Sequence, residues 1–306
     1  MNHAWSCGRF PMACLLGIAP GCWWIPDPVA IDDSSGNESG VYSGLDSGLD
    51  SGTEIPTFAG PLDIIFVAVP AGSFDMGNPS WDSDMAYEGE VLHRVALSHD
   101  IWVSQYEITQ AEWQSAMGTT PWEGHTECID PSCPASFLTW ADAARFANEL
   151  SAIASLDTCY KADGSDVAVN PYTCAGYRLP TEAEWEYTAR AGTGQEFLYA
   201  GSNDINAVGY AEGWDNAQPV GQRAHNAWGT HDMTGNLWEW TNDAFGDYDV
   251  EATTDPTGPA GTDYRVTRGG AAGATADNCR VAKRLSYEAA NSSPKSVGFR
   301  IARSLN

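Results

Sequence analysis

Positive charge is scarce in this 306-residue chain. Its 15 lysines and arginines stand against 41 aspartates and glutamates, a formal net charge of -26. That balance excludes a nucleic acid partner, because phosphate binding needs clustered Lys and Arg. It suits a soluble surface and leaves cation binding open. Long apolar runs are also missing. Beyond residue 22 no segment approaches 18 apolar residues, so no helix there spans a membrane. Histidine is sparse, six residues without a His-x-x-x-His pair. No His-rich motif accompanies the cysteines, which argues against a zinc site among them.

What is abundant is glycine (31), proline (17) and tryptophan (13). Long amphipathic helices are few, so the composition implies a loop-rich α+β domain whose core is pinned by indoles. Cys128 and Cys133 bracket a Pro-containing loop, and Cys159 and Cys174 bracket a polar one. Both pairs read as local disulfides of an exported protein. Cys279 is left over.

Three segments follow along the chain. Residues 1–22 form a leader with Arg9 and an apolar stretch ending in Gly21-Cys22. It resembles a bacterial lipoprotein signal, with Cys22 as the lipidated residue, although Ala19 and Pro20 depart from the usual pattern. An ordinary cleaved signal or a misplaced start codon is the alternative. Residues 23–60 are low-complexity, with Ser-Gly-Leu-Asp repeated from Ser43 to Gly52. They are expected to be a disordered acidic tether, because they cannot bury a core. The folded domain is expected over 61–306.

Within it, Ile64–Pro70 and Ser73–Gly77 read as strands around an Ala71-Gly72 turn, and a further strand pair spans Arg94 to Ile108. Thr109 with Glu112 opens a helix that Gly118 ends, and Trp113 and Met117 share a face. A second helix starts at Thr139 with Asp142 in its first turn. Its apolar face is Phe146, Leu150 and Ile153. In the third, Thr181 and Glu184 form a capping box, Trp185 and Ala189 face the core, and Gly192 is the stop. Its three glutamates read as complements of the helix dipole rather than as acid–base groups. Tyr264–Arg268 and Val297–Ile301 read as closing strands.

The densest segment is His231-Asp-Met-Thr-Gly-Asn-Leu-Trp-Glu-Trp240, which packs two tryptophans, a Gly-Asn turn and two carboxylates into ten residues. Its Gly235–Trp240 part, with Val69–Gly77, Tyr106-Glu-Ile-Thr109, Arg178–Tyr187, Arg268-Gly-Gly270 and Gly298-Phe-Arg300, resembles the formylglycine-generating enzyme (sulfatase-modifying factor) family. The six stretches occur in the family's order over about residues 62–304. The resemblance implies an irregular, loop-rich variant of the C-type-lectin-like fold.

Catalytic members of that family oxidise a cysteine of a client sulfatase with oxygen and copper(I), held by two cysteines five residues apart after a Gly-Gly pair. Copper(I) is soft and accepts paired thiolates. Counting from Gly269-Gly270, Cys279 occupies the second position and Ala274 the first, and Ala271 replaces the family's serine. One sulfur cannot make the pair. The expectation is therefore no copper, and a Cys279 that behaves as a small buried hydrophobe. The related iron-dependent sulfoxide synthases are set aside, because their histidine-bearing helical domain has no counterpart before Pro61.

The resemblance also implies calcium, held by the side chains of Asp232 and Glu239 and the carbonyls of Gly235 and Leu237. Calcium favours hard oxygens on a tight turn. The competing reading is a structural turn whose carboxylates accept backbone hydrogens. A second family calcium site has no clear match between Ala207 and Asn216 and is not carried over. Trp238 matches a residue near the family's active site. Together these readings describe an extracytoplasmic, secreted or lipid-anchored pseudoenzyme, a calcium-stabilised binding or scaffold domain. Its ligand would be an unknown protein or glycan. An altered-site oxidoreductase and a carbohydrate or peptide binder are the alternatives.

Overall fold

The computed structural model describes residues 56–81, 89–125, 128–251, 253–260, 262–289 and 292–305. The leader, Cys22 and most of the acidic tether lie outside the described residues. The described chain starts at Pro56, a few residues before Pro61. Strand β1 (Thr57–Ala59) pairs antiparallel with β2 (Ile65–Val69), Phe58 opposite Phe66. Phe58 stacks on Phe66 with ring centroids 5.0 Å apart, which gives this end of the tether an apolar anchor.

β3 (Gly72–Met76) follows the Ala71 turn as expected, but it joins a different sheet from β2. β4 (His93–Leu97) pairs with β3, whereas β5 (Ile101–Ser104) pairs with β2, so the anticipated strand pair is split between sheets. Alternation explains the split. β3 and β4 bury every second residue, as a half-covered sheet requires, whereas β5 is buried throughout.

Helices α1 (Gln110–Met117), α2 (Trp140–Ile153) and α3 (Glu182–Arg190) each start at a complete capping box, with Thr109, Thr139 and Thr181 as caps. α1 ends at Gly118 in the left-handed conformation. α3 ends one residue before the expected glycine, with Ala191 itself left-handed at φ 46°. Phe146 and Leu150 are buried, but Ile153 is exposed at the last turn of α2. α4 (Ile205–Val208) is a single turn.

The second half contributes β6 (Trp238–Ala244), β7 (Thr253–Thr254), β8 (Tyr264–Arg268), β9 (Arg284–Glu288), β10 (Val297–Phe299) and β11 (Ala302–Ser304). Three small sheets result, ordered β1-β2-β5-β11, β10-β6-β8-β9 and β3-β4-β7. C-terminal β11 pairs antiparallel with one edge of β5 and N-terminal β2 with the other, so both ends of the domain join one sheet. Helix and sheet are mixed, helices are few and loops dominate, as the sequence implies.

The core is indeed indole-rich. Trp113, Trp140 and Trp240 pack with Phe146, Phe299 and Ile301, and Trp185 packs with Ala189 and Met233. Both expected disulfides are present, Cys128–Cys133 and Cys159–Cys174, with Cα–Cα separations of 6.0 and 5.8 Å.

The three glutamates of α3 have a role beyond the helix dipole. All are buried. Glu184 takes a bidentate pair from Arg178 at 2.6 and 2.7 Å, and Glu182 takes one from Arg284 at 2.7 and 2.9 Å. Glu186 accepts from Arg190 at 2.7 Å, from the Gly77 N–H at 2.9 Å and from Arg268. Arg268 and Arg284 are thus drawn from distant segments onto one helix, beside the local pairs made by Arg178 and Arg190. Removing a single partner from such a pair leaves a charge buried and alone, at a cost of about 3–5 kcal/mol.

Candidate functional site

The signature run forms a turn that leads into β6. Gly235 has φ 72°, and a Cβ there would collide with the Tyr210 carbonyl, so only glycine fits. Asp232 and Asn236 also take left-handed backbone, at φ 58° and 63°. Hydrogen bonds hold them there. The Asn236 side chain accepts from Gln218 N–H at 2.8 Å and donates to Glu107 at 2.5 Å. Glu107 also accepts the Leu237 N–H at 3.0 Å, and Gly235 N–H donates to the Gly269 carbonyl at 2.8 Å. The turn is therefore tied to both the β5–α1 junction and the Gly269-Gly270 loop.

Glu239 and Arg300 form the central ion pair. Arg300 Nε and Nη2 donate to the two Glu239 oxygens at 2.6 and 2.7 Å, and Trp185 Nε1 adds a third bond at 2.7 Å. Both residues are fully buried. Parallel pairing of β10 with β6, Gly298 opposite Glu239, places Arg300 at that carboxylate.

Asp232 accepts the Gly221 N–H through Oδ2 at 2.7 Å. Its Oδ1 is buried without a partner among the described residues. Burial, outweighing the Gly221 bond and the Arg300 charge, raises its carboxyl to about 6. Glu107 is raised well above the usual range, by burial first and then by Asp232 and Glu239.

The calcium shell expected of Asp232, Gly235, Leu237 and Glu239 would have to share Glu239 with a guanidinium and an indole N–H, which already take three of its lone-pair sites. Among the described residues no group of three or more His, Cys, Asp or Glu side chains converges as a metal cage. The sequence reading missed Glu107 and the part played by Arg300. Both lie in matched stretches, but their approach to the turn is a tertiary event.

The loop after Gly269-Gly270 is equally specific. Cys279 ends a short helical turn, Ala276–Cys279, and is fully buried. It packs with Tyr199, Val208 and Ala211, and Ala274 and Ala276 lie at the edge of the cluster. Gly270 has φ 83°, and a Cβ there would run into the Cys279 sulfur and backbone. Burial pushes the thiol up to about 12, and its only weak acceptor is the Ala271 carbonyl at 3.9 Å. Without a metal beside it, the thiol keeps its proton at neutral pH. The half-buried Ala274 offers a methyl group, which is no copper ligand, so the residues present do not fit copper(I). Trp238 is a buried member of the main core.

One small pocket adjoins the signature turn, lined by Asn236, Leu237, Ala272, Ser136 and Asp215. A polar groove of about 830 Å³ is lined by Lys161, Asp166, Asn170, Asn242, Asp263 and Arg265. Arg265 lies over the Trp140 ring at 4.0 Å and pairs with Asp166 at 3.2 Å.

Comparison with known proteins agrees with this architecture. A family model for the sulfatase-modifying factor enzyme 1-like domain matches residues 63–305. The chain is 28% identical over 277 residues to chaperone protein LppX of Paenibacillus barcinonensis, covering 78% of this chain and 89% of that one. It is 28% identical over 279 residues to the formylglycine-generating enzyme of Mus musculus, covering 77% and 74%. Among solved structures it resembles Treponema denticola variable protein 1, with a TM-score of 0.71 and 25% identity, over 82% of this chain and 99% of that one.

Proposed function

The chain belongs to the sulfatase-modifying factor enzyme 1-like family, and from that premise we propose that it is a binding or scaffold member without cysteine-to-formylglycine oxidase activity. The observation that carries this reading is the Cys279 environment. Its thiol is caged by Tyr199, Val208 and Ala211 and held protonated, and the partner position is Ala274. Two soft sulfurs open to oxygen and substrate are what the oxidation needs, and neither is on offer.

Location outside the cytoplasm is supported by the two disulfides, which persist in oxidising compartments. A lipid on Cys22 would tether the domain to a membrane through the acidic segment. Calcium is left out of this reading, because Arg300 already neutralises Glu239. The ligand is an extracellular peptide or glycan. The groove between Lys161 and Arg265 supports that class, since it mixes donors and acceptors over a volume in the range of small-ligand sites.

The test is direct. Purified protein receives copper(I), oxygen and a Cys-x-Pro-x-Arg peptide, and mass spectrometry looks for the aldehyde. No conversion is expected. Turnover abolished by Cys279→Ala would overturn the proposal and favour an altered-site oxidoreductase.

A further inference from the structure

His225 and His231 lie on a loop that the oxidase comparison leaves unused. The intervening segment folds back on itself. Asn226 N–H donates to the Thr230 carbonyl at 3.1 Å, and Asn226 Oδ1 accepts from Trp228 and Thr230 N–H at 3.0 and 3.2 Å. The same side chain donates to the Thr188 and Ala189 carbonyls at 2.7 and 3.2 Å, which ties the loop to α3. This fold-back brings the two imidazoles to a centroid separation of 5.3 Å, tilted by 67°.

Both rings are oriented by their Nδ1 atoms. His225 Nδ1 sits 2.6 Å from the Asn226 carbonyl, and His231 Nδ1 sits 2.9 Å from the Arg223 carbonyl. A carbonyl accepts only, so each Nδ1 carries the hydrogen and each Nε2 keeps a bare lone pair. That is the tautomer of a metal-ligating histidine, and a backbone carbonyl is a common outer partner for it. Neither Nε2 has a hydrogen-bond partner among the described residues, and the His231 Nε2 is not among the buried unpartnered atoms. His225 is exposed and His231 half-buried, so the pair is open to solvent.

The spacing is that of a shared ion. With metal–nitrogen bonds of about 2.0–2.1 Å, two imidazoles at a roughly tetrahedral angle place their ring centroids about 5.2 Å apart. Edge-to-face packing reaches the same spacing, as His99 and Tyr172 show at 5.4 Å and 76°, so the Nδ1 anchoring of both rings, rather than the distance, singles out this pair. The other face of His231 is filled by Tyr106 at 5.0 Å. Arg300 donates to the His231 carbonyl at 2.9 Å.

We propose that His225 and His231 together bind a late divalent transition ion such as zinc, leaving two coordination positions for water or for a donor from a bound partner. Imidazole nitrogen suits these ions and not calcium, so the site is distinct from any oxygen-ligand site on the signature turn.

The test is calorimetric titration of the full chain with Zn2+, repeated on His225→Ala, His231→Ala and the control His99→Ala. Each variant's melting temperature without metal is recorded first. One site is expected in the wild type and in His99→Ala. Affinity at that site should fall by about tenfold or more in either of the other variants, since loss of a second-shell partner alone costs that much. Melting temperatures without metal should stay within a few degrees, because His225 is exposed. Wild-type affinity retained in both variants, or no Zn2+ binding in the wild type, would overturn the proposal and leave the contact as edge-to-face ring packing.

Discussion

At the scale of single residues, chemistry here is decided by environment. Cys279 is the same residue type at the same spacing that a copper site would use, yet burial among apolar side chains keeps its proton on. Native protein treated with iodoacetamide at pH 8 should leave the Cys279 peptide unmodified, and denatured protein should be alkylated there. Labelling in the native state would show that the thiol is open. Sequence reading reached the buried-hydrophobe assignment because the missing partner at Ala274 is visible in the chain itself. It could not see the His225–His231 pair, because the segment between them is a loop with no periodicity to read. Only the Asn226 fold-back makes those rings neighbours.

At the scale of elements, capping boxes were the most legible feature. A Thr followed three residues later by Glu or Asp encodes its own geometry, and all three helix starts fell where those residues stand. Strand partners were far less legible. β2 and β3 are adjacent in sequence but belong to different sheets, because pairing depends on which face each can bury. The signature turn shows the same limit. Its carboxylates suggested calcium, whereas β10 delivers Arg300 to Glu239. Calcium chelation is therefore expected to leave the melting temperature unchanged, while Glu239→Gln should cost about 3–5 kcal/mol by leaving Arg300 buried without its partner. Denaturant melts with and without EGTA check both. A large drop on chelation, with Glu239→Gln neutral, would restore the calcium assignment.

At the scale of the whole molecule, excess negative charge is carried inward as well as outward. Asp243, buried beside Glu182, is raised to about 8 by desolvation first and then by the Glu182 charge. A carboxyl raised on folding binds its proton more tightly in the native state. Its contribution to stability is full below about pH 4, its unfolded value, and is lost as pH climbs towards 8. The slope is at most about 1.4 kcal/mol per pH unit for one such group. Stability should therefore decline between pH 5 and pH 8, and Asp243→Asn should flatten that decline. Urea midpoints across the range measure it, and an unchanged slope in the variant would assign the effect to another group. What the sequence determined by itself was local or compositional: the helix starts, the indole core, the two short-range disulfides, the family and the loss of one sulfur. Each depends on residues close in the chain or on identity at a motif position. The tertiary structure decided which charges meet. The arginines at 268, 284 and 300 reach their glutamates only after distant segments pack together. A buried charge must find a partner wherever the fold places one, and no local pattern encodes that choice.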